Sequence, residues 1–104
     1  MQLMTKELEK KFADVGRQEG NADPLIVAKF FDPTGSWTWY ATEYEPETRT
    51  FFGLVDGFEQ EWGYFLLDEL EECKGHLGLG IERDLHCGYK TLSEWRATGR
   101  LKNR

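Results

Sequence analysis

The sequence predicts an α+β fold, an antiparallel four-stranded meander with an N-terminal helix and short C-terminal helices. Three observations carry that prediction. A segment of helical period opens the chain, residues 25–66 hold four stretches rich in β-branched and aromatic residues, and helix-cap signals recur after residue 66. The connections between the four stretches are too short for anything but antiparallel neighbours. With 104 residues, of which 39% are hydrophobic and 14% aromatic, the expectation is one domain spanning 1–104 whose core is built largely from rings.

Thr5 is placed to cap a first helix in which Leu8, Phe12 and Val15 recur at helical spacing, with Gly16 as its stop. Residues 17–24 read as a loop, ending in Asp23-Pro24, which disfavours helix and leads into extended chain. Residues 25–31 form the first strand, and Asp32-Pro33-Thr34-Gly35 has Pro second and Gly fourth, as a type I turn favours. Residues 36–44 then alternate Trp37, Trp39 and Ala41 with Ser36, Thr38, Tyr40, Thr42 and Tyr44. A turn at 45–48, a third strand at 50–55, the hairpin signal Asp56-Gly57 and a fourth strand at 58–66 complete the meander.

Asp68 and Glu71 have the spacing of an N-terminal cap for a second helix, with Leu70 and Cys73 on one side and Gly75 as stop. Residues 75–80 are glycine-rich, 81–85 read as extended, and Thr91-Leu92-Ser93-Glu94 resembles a capping box that opens a last helix with Trp95 inward. Leu70 and Trp95 are expected to pack both short helices on one face of the sheet.

No apolar run approaches the roughly 20 residues of a membrane span, and residues 1–5 lack a signal peptide's basic and apolar blocks, so a cytoplasmic protein without membrane contact is expected. In that compartment Cys73 and Cys87 are expected as free thiols. The net charge of −6 conceals a division along the chain. Residues 32–72 hold eleven acids against the single base Arg49, and residues 74–104 hold seven bases against three acids. An acidic field of this kind repels nucleic acid and attracts basic protein surfaces.

Four constellations are candidates for function. Cys73-x-x-His76 followed by His86-Cys87 offers four zinc-competent side chains, although adjacent His86 and Cys87 point to opposite faces of an extended chain. The same cysteines and histidines are the candidates for an enzyme or ligand site, but the acids before Cys73 push its thiol the wrong way for a nucleophile. No phosphate, dinucleotide or metalloprotease fingerprint occurs, and no catalytic residue or cofactor is assigned. Trp37, Trp39, Tyr40, Phe51, Phe52, Trp62 and Tyr64 form a candidate stacking platform for single-stranded nucleic acid, opposed by the acids on the same strands.

The leading reading is a non-catalytic acidic module that docks on a basic, nucleic-acid-handling surface of a protein partner. Glu43, Glu45 and Glu47 alternate by two, so persistent strand geometry sets them in a row about 6.6 Å apart. Asp56, Glu59 and Glu61 add charge from the neighbouring hairpin. Asp68, Glu69, Glu71 and Glu72 crowd the start of the second helix, where its dipole favours them.

Residues 28–65, reading AKFFDPTGSWTWYATEYEPETRTFFGLVDGFEQEWGYF, and the later LGLGIERDL resemble the bacterial family catalogued as domain of unknown function 2958. The resemblance covers residues 25–92. It implies an accessory protein of a mobile genetic element, since members look like proteins of plasmids, conjugative elements and phages. A CRISPR-nuclease inhibitor is similar to this domain, which implies an anti-defence (anti-CRISPR) role with a CRISPR effector nuclease as the partner. The chain departs from the family pattern at Gly80, where that pattern has Pro, and near His86 and Cys87, where it has aromatic residues, so a site built on His86 or Cys87 would be particular to this protein.

Overall fold

The computed structural model describes residues 2–73 and 79–103. Helix α1 (Lys6–Val15) starts where the Thr5 hydroxyl accepts the Leu8 N–H at 3.1 Å, and ends at Gly16, whose φ of 70° is open to glycine at little cost. The stretch expected as one strand is two: β1 (Leu25–Ile26) and β2 (Ala28–Phe31). Ile26 packs into one core while Val27 and Ala28 both face the other, so the side-chain phase slips at Val27 and the chain passes from one sheet to the next.

Strands β3 (Thr38–Glu45), β4 (Thr50–Asp56) and β5 (Gln60–Leu66) follow, then α2 (Leu67–Glu72), β6 (Glu82–Arg83), β7 (Lys90–Thr91) and α3 (Leu92–Ala97). The four meander strands pair in order as the sequence implies, but the sheet has five, because β6 adds to the outer side of β2 in the order β5-β4-β3-β2-β6. Strands β1 and β7 form a separate two-stranded sheet. Strand β5 begins two residues later than its hydrophobic pattern suggests, since residues 57–59 form the hairpin loop, closed by the Gly57 N–H to the Glu59 carbonyl at 3.0 Å.

Strict alternation also fails in β3. Ala41 faces Gly53, and both Thr42 and Glu43 then stand opposite Phe52, so one residue is absorbed in a bulge. The Thr42 hydroxyl donates to the Phe52 carbonyl at 3.1 Å there. Beyond the bulge the faces are exchanged, and Tyr44 joins the Trp39 and Ala41 side instead of the Tyr40 side. Gly53 is required beside it, because a Cβ would come 2.0 Å from the Tyr40 carbonyl oxygen.

Each face of the sheet carries its own core. On one, α1 and α2 cover rings centred on Phe51, whose centroid lies 4.8 Å from Tyr44, 5.2 Å from Phe30 and from Phe65, and 5.7 Å from Phe12. On the other, Trp95 of α3 lies edge-on to Tyr40 at 5.7 Å above Ile26, Leu54, Cys87 and Leu101. The two short helices therefore do not share a face: Leu70 belongs to the first core and Trp95 to the second. Helix α2 follows β5 without a break and turns toward the α1 side, whereas α3 arrives from β7, beyond the other face.

The capping box of α3 forms as read, with the Thr91 hydroxyl and the Glu94 carboxylate each accepting the other residue's N–H. That of α2 does not. Its N-cap is Leu66, and Asp68 turns outward to Arg49. Gly75, expected to stop α2, lies outside the described residues. Among the described residues, no helix is long and apolar enough to cross a membrane.

Candidate partner-binding groove

Helix α3 and the C-terminal segment cover only part of the second sheet face. Tyr40 and Leu54 are sealed beneath Trp95 and Leu101, while Phe52, Trp62 and Tyr64 continue the same face without a cover. Phe52 and Tyr64 stand directly opposite each other on β4 and β5, their centroids 5.1 Å apart, and Trp62 stacks on Phe52 at 6.0 Å. Tyr64 is 78% exposed and Trp62 44%. Phe52 is half-buried, so one half-covered and two exposed rings form a contiguous aromatic surface, whereas Phe30, Tyr40, Phe51 and Phe65 of the same sheet are buried.

The rings form one side of a groove of about 820 Å³ whose other wall is the loop at residues 16–24. Two clamps fix that wall. At one end the Gln18 side chain acts as a surrogate strand: its amide donates to the carbonyls of Leu25 at 2.8 Å and Thr42 at 2.9 Å, and its oxygen accepts the Leu25 N–H at 2.6 Å. These bonds occupy the side of β3 that β2 leaves unpaired beyond Ala41. At the other end Asp23 takes both the backbone N–H and the hydroxyl of Ser93, at 2.7 and 2.6 Å, and these bonds hold its carboxyl below the usual range.

Electrostatically the groove is negative, with Glu19, Glu43 and Glu45 against Arg17 among its lining residues. The bulge brings two of these acids to the rings, since Glu43 stands opposite Phe52 and Glu45 opposite Thr50 on the aromatic face. The expected row of Glu43, Glu45 and Glu47 is broken, however. Glu47 sits in the turn after β3, and its N–H is held by the Glu45 carboxylate at 3.1 Å, a short side-chain turn that replaces strand geometry. One Glu43 oxygen is likewise engaged by the Gln18 N–H at 3.0 Å.

The remaining acids divide. Asp68 and Glu71 are clamped by Arg49, whose guanidinium reaches them at 2.7 and 2.6 Å, so these two are partly neutralised within the molecule; their bonds raise the guanidinium's pKa. Glu69 and Glu72 are exposed on α2. Glu61 pairs with Val55 on the α1 side of the sheet, and Asp56 and Glu59 lie at the β4–β5 hairpin, away from the rings.

The stacking platform read from the sequence is split between faces. Trp39 and Phe51 belong to the first core, Tyr40 to the second, and Trp37 leans on Trp39 and Phe58 at 6.1 and 5.5 Å. Phe52, Trp62 and Tyr64 stay together on one face, with Trp62 and Tyr64 exposed and Phe52 half-buried, and the adjacent carboxylates oppose phosphate.

Among the described residues, the cysteine and histidine candidates do not form a site. Cys73 is exposed at the end of α2 and Cys87 is buried against the Trp95 core, both free. Burial pushes the Cys87 thiol up to about 11, the reverse of what a nucleophile needs. The His86 N–H donates to the Asp84 carboxylate at 2.8 Å in a turn that leaves His86 exposed, and His76 lies outside the described residues. Among the described residues, no three His, Cys, Asp or Glu side chains converge in a way that could hold a metal ion.

Fold and groove together define a small α+β protein with a clamped, acidic, ring-lined cleft on one sheet face. The chain belongs to the family described as "Protein of unknown function (DUF2958)", whose model matches residues 3–104. That match extends past the motif-bearing stretch to both ends, where Leu3 and Leu101 are each buried, one in each core. No curated protein and no solved structure matches the chain.

Proposed function

We propose that the chain is a non-catalytic acidic protein-binding module of a mobile genetic element, which acts in the cytoplasm as an anti-defence inhibitor. In this reading it occupies a basic, nucleic-acid-handling surface on its partner, a CRISPR effector nuclease being the partner class. The observation that carries the reading is the exposed Trp62 and Tyr64 packed on half-buried Phe52 beside the Glu43 and Glu45 carboxylates. Ring faces attract Lys and Arg by about 0.5–1 kcal/mol each at exposed sites, and nearby carboxylates add to the same preference. The cationic residues that hold nucleic acid on a partner have the chemistry to enter such a groove.

The test is capture by tagged protein from cells carrying CRISPR and other defence systems, with washes at low and high salt. A single nuclease or defence subunit is expected, released by salt, displaced by nucleic acid, and lost when Trp62→Ala and Tyr64→Ala are combined in a chain whose circular dichroism is unchanged. Capture that survives this double substitution removes the groove from the reading. No captured protein in either wash removes the inhibitor role.

A further inference from the structure

We infer that the groove's partner adds an extended, cationic segment as an antiparallel strand to the free edge of β5. The inference rests on the proposed groove and specifies how it is used. Strand β5 ends the sheet, so among the described residues one side of its seven residues has no neighbouring strand. The register fixes which backbone groups face outward. The Leu67 N–H bonds the Arg49 carbonyl at 2.9 Å, which makes 67/49 a hydrogen-bonded pair and, by alternation, 65/51, 63/53 and 61/55 as well. The N–H and C=O groups of Gln60, Trp62, Tyr64 and Leu66 therefore point away from β4. The Leu66 carbonyl is taken up as the N-cap of α2, which leaves its N–H and both groups of Gln60, Trp62 and Tyr64; among the described residues no turn, loop or cap bond to these is seen.

Natural sheets blunt such edges with Pro, Lys, bulges or a covering element. Strand β5 has neither Pro nor Lys, and its pairing with β4 runs without a register shift. Its only charge is Glu61, and at Gly63 a Cβ would meet nothing within 4 Å. The outward-facing backbone also belongs to the residues whose side chains form the exposed aromatic face, so one added strand would meet main-chain partners and rings together.

Charge selects the occupant. Of the six acids in residues 57–73, Arg49 takes up Asp68 and Glu71, and Arg96 bonds the Gln60 side chain at 3.2 Å, which leaves Glu59, Glu61, Glu69 and Glu72 in excess. Two copies joined edge to edge would therefore bring like charges together, whereas a Lys- or Arg-bearing strand is attracted. Directly opposed residues on antiparallel strands project to the same face. The cations must therefore sit on those incoming residues whose own N–H groups bond β5.

That geometry gives a test in which the protein is unaltered. Three peptides of alternating Lys and Thr are compared: unmodified, N-methylated at the Lys nitrogens, and N-methylated at the Thr nitrogens. The unmodified and Thr-methylated peptides are expected to bind alike, the Lys-methylated one at least about tenfold more weakly, as losing one or two net hydrogen bonds implies. Amide exchange of Trp62, Tyr64 and Leu66 should slow on binding, while the amides of Glu61, Gly63 and Phe65, already paired, should not change. Equal binding of all three peptides overturns strand addition and leaves the groove reading standing, whereas no binding by any of them overturns both. Protection of Trp62, Tyr64 and Leu66 in the protein alone, rising with concentration together with a dimer in sedimentation, assigns the edge to a second copy and overturns the inference.

Discussion

Replacing Gln18 by Ala tests whether one side chain holds the wall of the groove. The substitution removes three hydrogen bonds, of 2.6, 2.8 and 2.9 Å, and leaves the Leu25 N–H and the Leu25 and Thr42 carbonyls without that partner. A net value near 1 kcal/mol per bond gives about 3 kcal/mol, which water entry at a half-buried site reduces to about 2–3 kcal/mol. For a domain of this size that corresponds to a fall in Tm of roughly 10 °C. Urea denaturation followed by Trp fluorescence gives the free energy, and exchange of the Leu25 amide reports the clamp itself.

Gln18→Glu sharpens the test. It keeps an acceptor for the Leu25 N–H but turns an oxygen toward two carbonyls, so at pH 7 it is expected to lose at least as much stability as Gln18→Ala. It should recover as acid protonates the carboxyl and restores a donor. A loss below about 0.5 kcal/mol for Gln18→Ala, the range of an ordinary surface change, would refute the clamp.

Alkali should destabilise the fold in a defined window. Burial raises Cys87 from 9.0 to about 11 and Tyr40 from 10.0 to about 12, so each favours folding fully below its ordinary value. The Cys87 contribution is lost between about pH 9 and 11, and that of Tyr40 between about pH 10 and 12. Cys87→Ala should flatten the first part of that decline in urea midpoints measured against pH, and in the native protein iodoacetamide should modify Cys73 far faster than Cys87. Arg49 has a φ of 54°, a left-handed conformation that favours glycine over alanine, and both substitutions remove the same ion pairs to Asp68 and Glu71. Arg49→Gly is therefore expected to be more stable than Arg49→Ala by about 1 kcal/mol, and equal denaturation midpoints for the two would contradict that ordering.

The elements that depend on local chemistry were legible in the sequence: the Thr5 cap and Gly16 stop of α1, the hairpins of the meander, and the Thr91 capping box. What was not legible depends on partners distant in sequence. Strand β6 has two residues and exists because β2 offers an edge. The phase slip at Val27 follows from burial on two faces at once, which a run of apolar residues cannot disclose. Alternation by two suggests one row of Glu43, Glu45 and Glu47, but β3 ends at Glu45 and Glu47 falls in the turn; which face Glu43 and Glu45 take depends on the bulge at Thr42, of which the sequence holds no mark beyond Gly53 across the strand. Nothing in the sequence separates the exposed Trp62 and Tyr64 from the buried Tyr40 and Phe51 among the seven platform candidates. Which rings stay exposed is decided by how far α3 and Leu101 extend over the sheet.

The bulge is therefore the feature that creates the site. Continued alternation through Thr42 would set Glu43 opposite Phe51, in the ring core against Phe12 and Phe30, and would turn Tyr44 out to the other face. Burying that carboxylate among rings is costly, so the strand absorbs a residue instead, and the same step sends Glu43 and Glu45 to the exposed aromatics. Deleting Thr42 tests this account, because removal of the absorbed residue leaves Glu43 opposite Phe52 and Tyr44 opposite Phe51 without any bulge. The deletion variant is expected to fold with its near-ultraviolet dichroism retained and to lose about 1–2 kcal/mol, the worth of the bonds Thr42 makes to Phe52 and Gln18. Thr42→Ala, which keeps the bulge and the main-chain bond from Gln18, should lose less than the deletion. Failure of the deletion variant to fold while Thr42→Ala is native would mean that the bend at Thr42 is itself required, and that Glu43 and Glu45 reach the rings as a by-product of that bend.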